Sequence, residues 1–204
     1  LGKELKDKVV RPDGVTFAEA GRYLDVSEVE FQALMARGFD NGIESETEII
    51  VAPEDDIEIR RITLINRSLR TRHLDLTSYC ELALAPHKSD RQHPAFNKLF
   101  IQTEAVTAEH ALLASRRSRQ ETDPPLHVGH RFTLEQEDPR AMRFETDRAR
   151  FIGRGRTLAD PMGAVQEPGN SHGVALDPIL WLRQSLTVDS GQGFQLSLII
   201  GCGA

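Results

Sequence analysis

The sequence predicts an all-β fold, an antiparallel two-sheet sandwich with few short helices, on three observations. Apolar and polar residues alternate with a period of two in many short segments, turn-forming clusters separate those segments, and helical periodicity is weak. The clearest strand is 73–84. Leu74, Leu76, Cys80, Leu82 and Leu84 share one parity, while Asp75, Thr77, Tyr79 and Glu81 share the other. This is a half-buried strand with Cys80 as a small core residue.

The segment 57–66 alternates in two phases, Ile57 and Ile59 against Ile62 and Leu64, with Arg60 and Arg61 between them. A β-bulge would reconcile the phases. Asn66-Arg67-Ser68 reads as a turn, so 57–84 is expected to be a hairpin. A strand at 46–52 precedes the acidic turn Pro53-Glu54-Asp55-Asp56. Segments 99–106 and 111–117 form an expected pair, and 127–135 and 141–145 another. The strands 179–188 and 194–200 flank Asp189-Ser190-Gly191-Gln192-Gly193, which reads as a hairpin loop. A short helix at 16–23 capped by Thr16, and a single turn at 147–152, complete the reading. Residues 1–25 are left unassigned and 26–204 are read as one sandwich domain. Two long irregular stretches, 85–94 and 153–176, exceed ordinary connections and draw attention as functional loops.

Composition narrows the function classes. The 204 residues carry 25 Lys+Arg against 31 Asp+Glu, a formal net charge of -6. That balance disfavours a general nucleic-acid binder, whose affinity comes largely from neutralising phosphates. Two cysteines cannot build a disulfide framework and fit no zinc spacing. No apolar run reaches the roughly 18–20 residues of a membrane span, and the start, LGKELKDK, has no apolar signal core. A soluble segment is expected.

Only five of the 25 basic residues are Lys, and four of the twenty arginines fall together at Arg148, Arg150, Arg154 and Arg156. Gly153 and Gly155 sit among them, where the backbone can turn or approach a ligand closely. Glu145 and Asp147 are placed to orient the guanidinium groups. Asp147, Arg148, Arg150, Gly153, Arg154, Gly155 and Arg156 are therefore the candidate site. Two readings stay open: a grip on an oxyanion, a polyol or an acidic segment, or an Arg–carboxylate network that pins a long loop. Gly153-Arg154-Gly155 is no dinucleotide fingerprint, since the third glycine is missing and Pro161 follows.

Other constellations offer less. His127 and His130 fall on opposite sides of a strand and lack a third ligand, so neither a metal nor another cofactor is expected. His87 and His93 read as solvated. The acids of 53–56 would repel one another on an exposed turn, which suits no general acid. No G-x-S-x-G elbow occurs. Trp181, in the run Pro178-Ile179-Leu180-Trp181-Leu182-Arg183, reads as core rather than as a sugar platform.

Several ordered segments carry a resemblance: GIESETEI at 42–49, VAPEDDIEIRR at 51–61, TSYCE at 77–81, HPAFNKLF at 93–100, the run 144–157, and 173–183 around ALDPI at 175–179. Together the chain resembles the supersandwich region of glycoside hydrolase family 94, formerly glycosyltransferase family 36. It is most similar to the phosphorylase-like part of bacterial cyclic β-1,2-glucan synthases. Residues 27–31 are compared with the family's preceding strand. The resemblance implies a galactose mutarotase-like sandwich that packs on a separate catalytic (α/α)6 barrel and helps build a homodimer. It places the parent at the inner membrane, with this segment on the cytoplasmic face. It also implies that the segment itself is not catalytic: it would bind a β-glucan or gluco-oligosaccharide, or support the active site, through the 147–157 loop. The alternative is an interdomain or dimerisation module with no sugar site.

Overall fold

The structure is a computed structural model that describes residues 33–118, 126–134 and 142–203. The expected helix at 16–23 and the strand at 27–31 lie outside them. The strands form two antiparallel sheets, and the chain divides into two compact units.

The first unit comprises Leu1–Arg72 and Thr187–Ser197. Its strands are β1 (Ala33–Asp40), β2 (Ile43–Val51), β3 (Ile57–Asn66) and the start of β11 (Gly193–Gly203), in the order β1-β2-β3-β11. Asn41 and Gly42, both at positive φ, turn β1 into β2. The expected bulge in β3 is absent on this side: its register with β2 runs without a shift from Ile43↔Asn66 to Val51↔Glu58. Both phases of β3 are only partly buried at this end, and the arginines are absorbed by partners. Arg61 faces Glu48 across the ladder at 2.8 Å, and Arg60 meets Glu58 at 2.5 Å. Two-sided partial burial therefore replaces the bulge.

Asn66 is fully buried and ties the end of this unit together. Its side-chain amide donates to the carbonyls of Arg70 and Val188, each at 2.8 Å, and its Oδ1 accepts from Ser68 N at 3.0 Å. The Asn66-Arg67-Ser68 segment is thus a sharp turn. It does not close a hairpin, because the next strand, β4 (Arg72–Glu81), belongs to the other sheet.

The second unit comprises His73–Leu186 and Leu198–Ala204. One of its strand sets follows the order β11-β7-β6-β5-β9: β5 (Ile101–Val106), β6 (Ala111–Arg116), β7 (Leu126–Leu134), β9 (Gly173–Val174) and the end of β11. The other is β4-β10-β8, with β8 (Arg143–Asp147) and β10 (Pro178–Val188). The expected β5–β6 pair forms, from Ile101↔Arg116 to Val106↔Ala111. The other two expected hairpins do not. β7 pairs with β6 and β8 with β10, while β10 and β11 lie in different sheets. Period-two alternation marks a strand but carries no information on its partner, which explains all three misassigned pairings. A register shift occurs between Pro178 and Trp181, so the bulge falls in β10.

Burial follows the alternation along β4 and the residues just after it, with Leu74, Leu76, Ser78, Cys80, Leu82 and Leu84 on the side turned inward. Buried Ser78 Oγ lies 2.6 Å from Nε2 of buried His130, whereas His127, three residues earlier on β7, is exposed. β10 is buried on both faces: Ile179, Leu180, Trp181 and Leu182 are at most 1 % exposed. The stretch 85–94, expected to be irregular, contains α1 (His87–Gln92) and leads into α2 (Pro94–Lys98). Asn97 fastens that pair, donating to Ser89 O at 2.9 Å and to His93 O at 3.0 Å. Among the described residues no helix is long and apolar enough to cross a membrane.

Candidate functional site

The candidate residues all lie in the second unit, at the end of β8 and just beyond it. Asp147 ends the strand and caps α3 (Arg148–Ile152), its carboxylate accepting from Ala149 N at 2.9 Å. Phe151 drives the helix onto the core. It forms a buried cluster with Ile179 and Trp181, its ring 4.9 Å from that of Tyr79 and 5.4 Å from that of Trp181. Burying each of these large side chains contributes about 1.5–3 kcal/mol. Gly153 ends α3 at φ 82, its N–H donating to Ala149 O at 2.9 Å.

The four arginines separate into two kinds. Arg148 is structural: its Nε donates to the Tyr79 hydroxyl and to Glu81 Oε1, each at 3.0 Å, and its Nη1 lies 3.5 Å from Asp177 Oδ2. Tyr79 in turn donates to Glu81 at 2.8 Å. Asp177 holds Lys98 at 2.5 Å and accepts Arg148 N on its carbonyl at 3.0 Å, so α2, α3 and the start of β10 share one node. Burial, and then the hydrogen bond to Glu81, push the Tyr79 phenol well above its ordinary range. The Tyr79 hydroxyl likewise raises Arg148. Arg156 meets Asp160 at 3.1 Å.

Arg150 and Arg154 are exposed. Arg150 has only a long contact with Asp147, at 3.9 Å, and Arg154 has no carboxylate partner among the described residues. Gly155 stands at φ 74, and a Cβ placed on it would meet nothing within 4 Å. Glu145 does not hold a guanidinium as the sequence suggested. It is 3 % exposed and grips the backbone, Oε1 accepting from Thr146 N and Asp147 N at 3.0 Å each.

The 153–176 segment is largely irregular, with a 3-10 turn at Met162–Ala164 and the short β9. Its anchors were not foreseen. Asn170 exchanges hydrogen bonds with the backbone of Phe144, at 2.9 and 3.1 Å, and Thr146 Oγ1 donates to Ser171 O at 3.0 Å. Arg183 is 4 % exposed, stacks 5.0 Å from the Trp181 ring, and donates to the carbonyls of Gly163 and Gln166. The available signal was a single charge following the apolar run 178–182 of β10, since such a charge, if buried, must find partners. Asp177 and Tyr79 carried no comparable mark.

Residues 27–204 match the family described as "Glycosyl hydrolase 94, supersandwich domain", and the chain belongs to that family. The antiparallel supersandwich expected from the sequence is thereby established. The chain is also 40% identical over 152 residues to the cyclic beta-(1,2)-glucan synthase NdvB of Rhizobium meliloti (strain 1021). That match covers 72% of this chain and 5% of the relative, so the chain spans a small part of the relative's length. Among solved structures, a polysaccharide lyase is similar at a TM-score of 0.44 and 13% identity, over 84% of this chain and 21% of that one. A likeness that loose carries no weight here.

Proposed function

We propose that residues 26–204 are the non-catalytic, carbohydrate-associated sandwich domain of a larger enzyme that synthesises or phosphorolyses a β-glucan. The observation that carries this reading is family membership over 27–204, joined to 40% identity with a cyclic glucan synthase of which the match covers 5%. The acidic groups around the loop support a non-catalytic role. Asp147 caps α3, Glu145 binds amides, Asp177 holds Lys98 and Arg148, and Asp160 meets Arg156. Each is committed to a structural partner, whereas a glycosidic acid–base pair has to face its substrate.

On this reading the exposed Arg150 and Arg154, with Arg156 and the open Gly155, form the face presented to a gluco-oligosaccharide at a neighbouring catalytic (α/α)6 barrel. The parent is an inner-membrane protein with this segment on its cytoplasmic side. The test uses the isolated chain with β-1,2-gluco-oligosaccharides. No phosphorolysis or transglycosylation is expected, and saturable amide shifts should weaken in Arg154→Ala and Arg156→Ala. Clear turnover by the isolated chain would overturn the reading.

A specific observation favours a second reading, a module for interdomain packing or homodimerisation. The same segment exposes Leu158, Val165, Val174 and Leu176 at 46, 66, 68 and 80%. Apolar side chains gathered on one irregular segment suit a surface that another domain covers. Under this reading millimolar sugar produces no shifts.

A further inference from the structure

The four asparagines of the chain are not held alike. Asn66 and Asn97 are buried, and both donate their side-chain amides to main-chain carbonyls, Asn66 to Arg70 and Val188, Asn97 to Ser89 and His93. Asn170 is exposed, but its Oδ1 accepts from Phe144 N at 2.9 Å. Asn41 is exposed at the turn between β1 and β2. Among the described residues its side chain bonds only to its neighbour Asp40, Nδ2 donating to Oδ2 at 3.0 Å. It is also the one asparagine followed by glycine.

Asn41 at φ 48 and Gly42 at φ 82 supply the two positive-φ positions that a two-residue hairpin turn requires. The same pair has a chemical consequence. The Gly42 nitrogen can attack Asn41 Cγ to close a five-membered imide, and a glycine has no side chain to crowd that approach. Attack requires the Gly42 N–H to give up its proton, and the resulting charge settles largely on the carbonyl oxygen of the same peptide group, Asn41 O. Arg72 donates from Nη1 to that oxygen at 2.5 Å. A guanidinium aimed where negative charge develops lowers the barrier.

We propose that Asn41 is a site of spontaneous self-modification, promoted by Arg72. The bond formed joins Gly42 N to Asn41 Cγ. The bond broken is Cγ–Nδ2, and that nitrogen leaves as ammonia with the proton given up by Gly42. Water then opens the imide. Attack at Cγ gives aspartate, and attack at the main-chain carbonyl carbon gives isoaspartate, whose backbone runs through Cγ and is one methylene longer. Solvent water is the single co-reactant. At present the turn is tied to 66–72 by Arg72 on Asn41 O and by Arg67 N on Gly42 O at 2.8 Å. A lengthened turn with its carbonyl displaced cannot keep both, so isoaspartate loosens this end of the first unit.

The experiment ages the full chain in mildly alkaline buffer, beside a sample held in urea, and follows both by peptide mass mapping and isoaspartyl methyltransferase labelling. Replacement of amide by acid is expected at Asn41 ahead of Asn170, with amide shifts confined to 38–44 and 66–72. Arg72→Ala is expected to slow the native reaction about tenfold, the weight of one charge-assisted hydrogen bond, and to leave the reaction in urea unchanged. Equal native rates in the wild type and Arg72→Ala would remove the part played by Arg72 and overturn the proposal. So would an Asn41 that stays intact in the native chain while it converts in urea. That second comparison uses the wild type alone, so it decides the matter even if Arg72→Ala fails to fold.

Discussion

Arg183 donates to the carbonyl of Gly163, twenty residues earlier in the chain, and so fastens the long 153–176 segment to β10. Both residues are buried, and the guanidinium is sandwiched between that segment and the Trp181 ring. Removing it leaves a buried carbonyl without a donor, a cost of about 1–3 kcal/mol. Arg183→Met should therefore lower stability by that amount in denaturant unfolding. It should also make the 153–176 segment the first site of proteolytic cleavage. Arg183→Lys, which keeps the charge but loses the fork, should fall between Met and wild type.

The glycines of the candidate loop should respond unequally. Gly153 and Gly155 both stand at positive φ, 82 and 74, where a side chain is strained, and Gly153, with ψ 159, lies in a region essentially reserved for glycine. A Cβ on Gly153 would also stand 2.7 Å from Met162 Cβ, whereas one on Gly155 meets nothing within 4 Å. Gly155→Ala should lose only the conformational part, and Gly153→Ala should lose about 1–3 kcal/mol more through overpacking. Equal losses in thermal or chemical unfolding would contradict this ordering.

The strands were legible because burial imposes a period of two. The parity seen along 73–84 is the parity the structure buries, and the turn expected at 147–152 forms as the short helix Arg148–Ile152. Pairing was not legible. Asn66-Arg67-Ser68 and Asp189-Ser190-Gly191-Gln192-Gly193 look like hairpin turns because they carry turn-forming residues. Nothing local says whether the next strand joins the same sheet or the other. The site was half legible for a related reason. An arginine cluster announces itself, but which member is consumed by structure depends on Tyr79, Glu81 and Asp177. Those partners are distant in sequence and converge only through the packing of β4, α3 and β10.

The cap at Asp147 gives a short-range test. Its carboxylate satisfies Ala149 N, one of the free donors at the start of α3. Asp147→Ala should cost about 1 kcal/mol, and Asp147→Asn, which keeps an acceptor, much less. Helix α3 presents Arg150, so the alanine variant should also broaden the amide signals of 148–152. An unchanged spectrum would show that packing of Phe151 alone holds the helix.

Alkali offers a separate handle on the Tyr79 node. The phenol accepts from Arg148 and donates to Glu81, and burial raises its proton affinity above the ordinary value near 10. The folded state therefore holds this proton more tightly than the unfolded chain. The resulting stabilisation is fully present below about pH 10 and is lost as pH rises beyond it toward the folded-state value. Arg148, raised by the same hydrogen bond, stays charged across that window. The chain has two tyrosines, so in a Tyr23→Phe background the tyrosinate absorbance reports Tyr79 alone. The absorbance should stay flat through pH 10 and rise together with unfolding. Tyr79→Phe should remove this alkaline loss of stability while lowering stability at neutral pH. A reversible tyrosinate titration near pH 10 with the fold intact would mean that the hydroxyl is not held between Arg148 and Glu81.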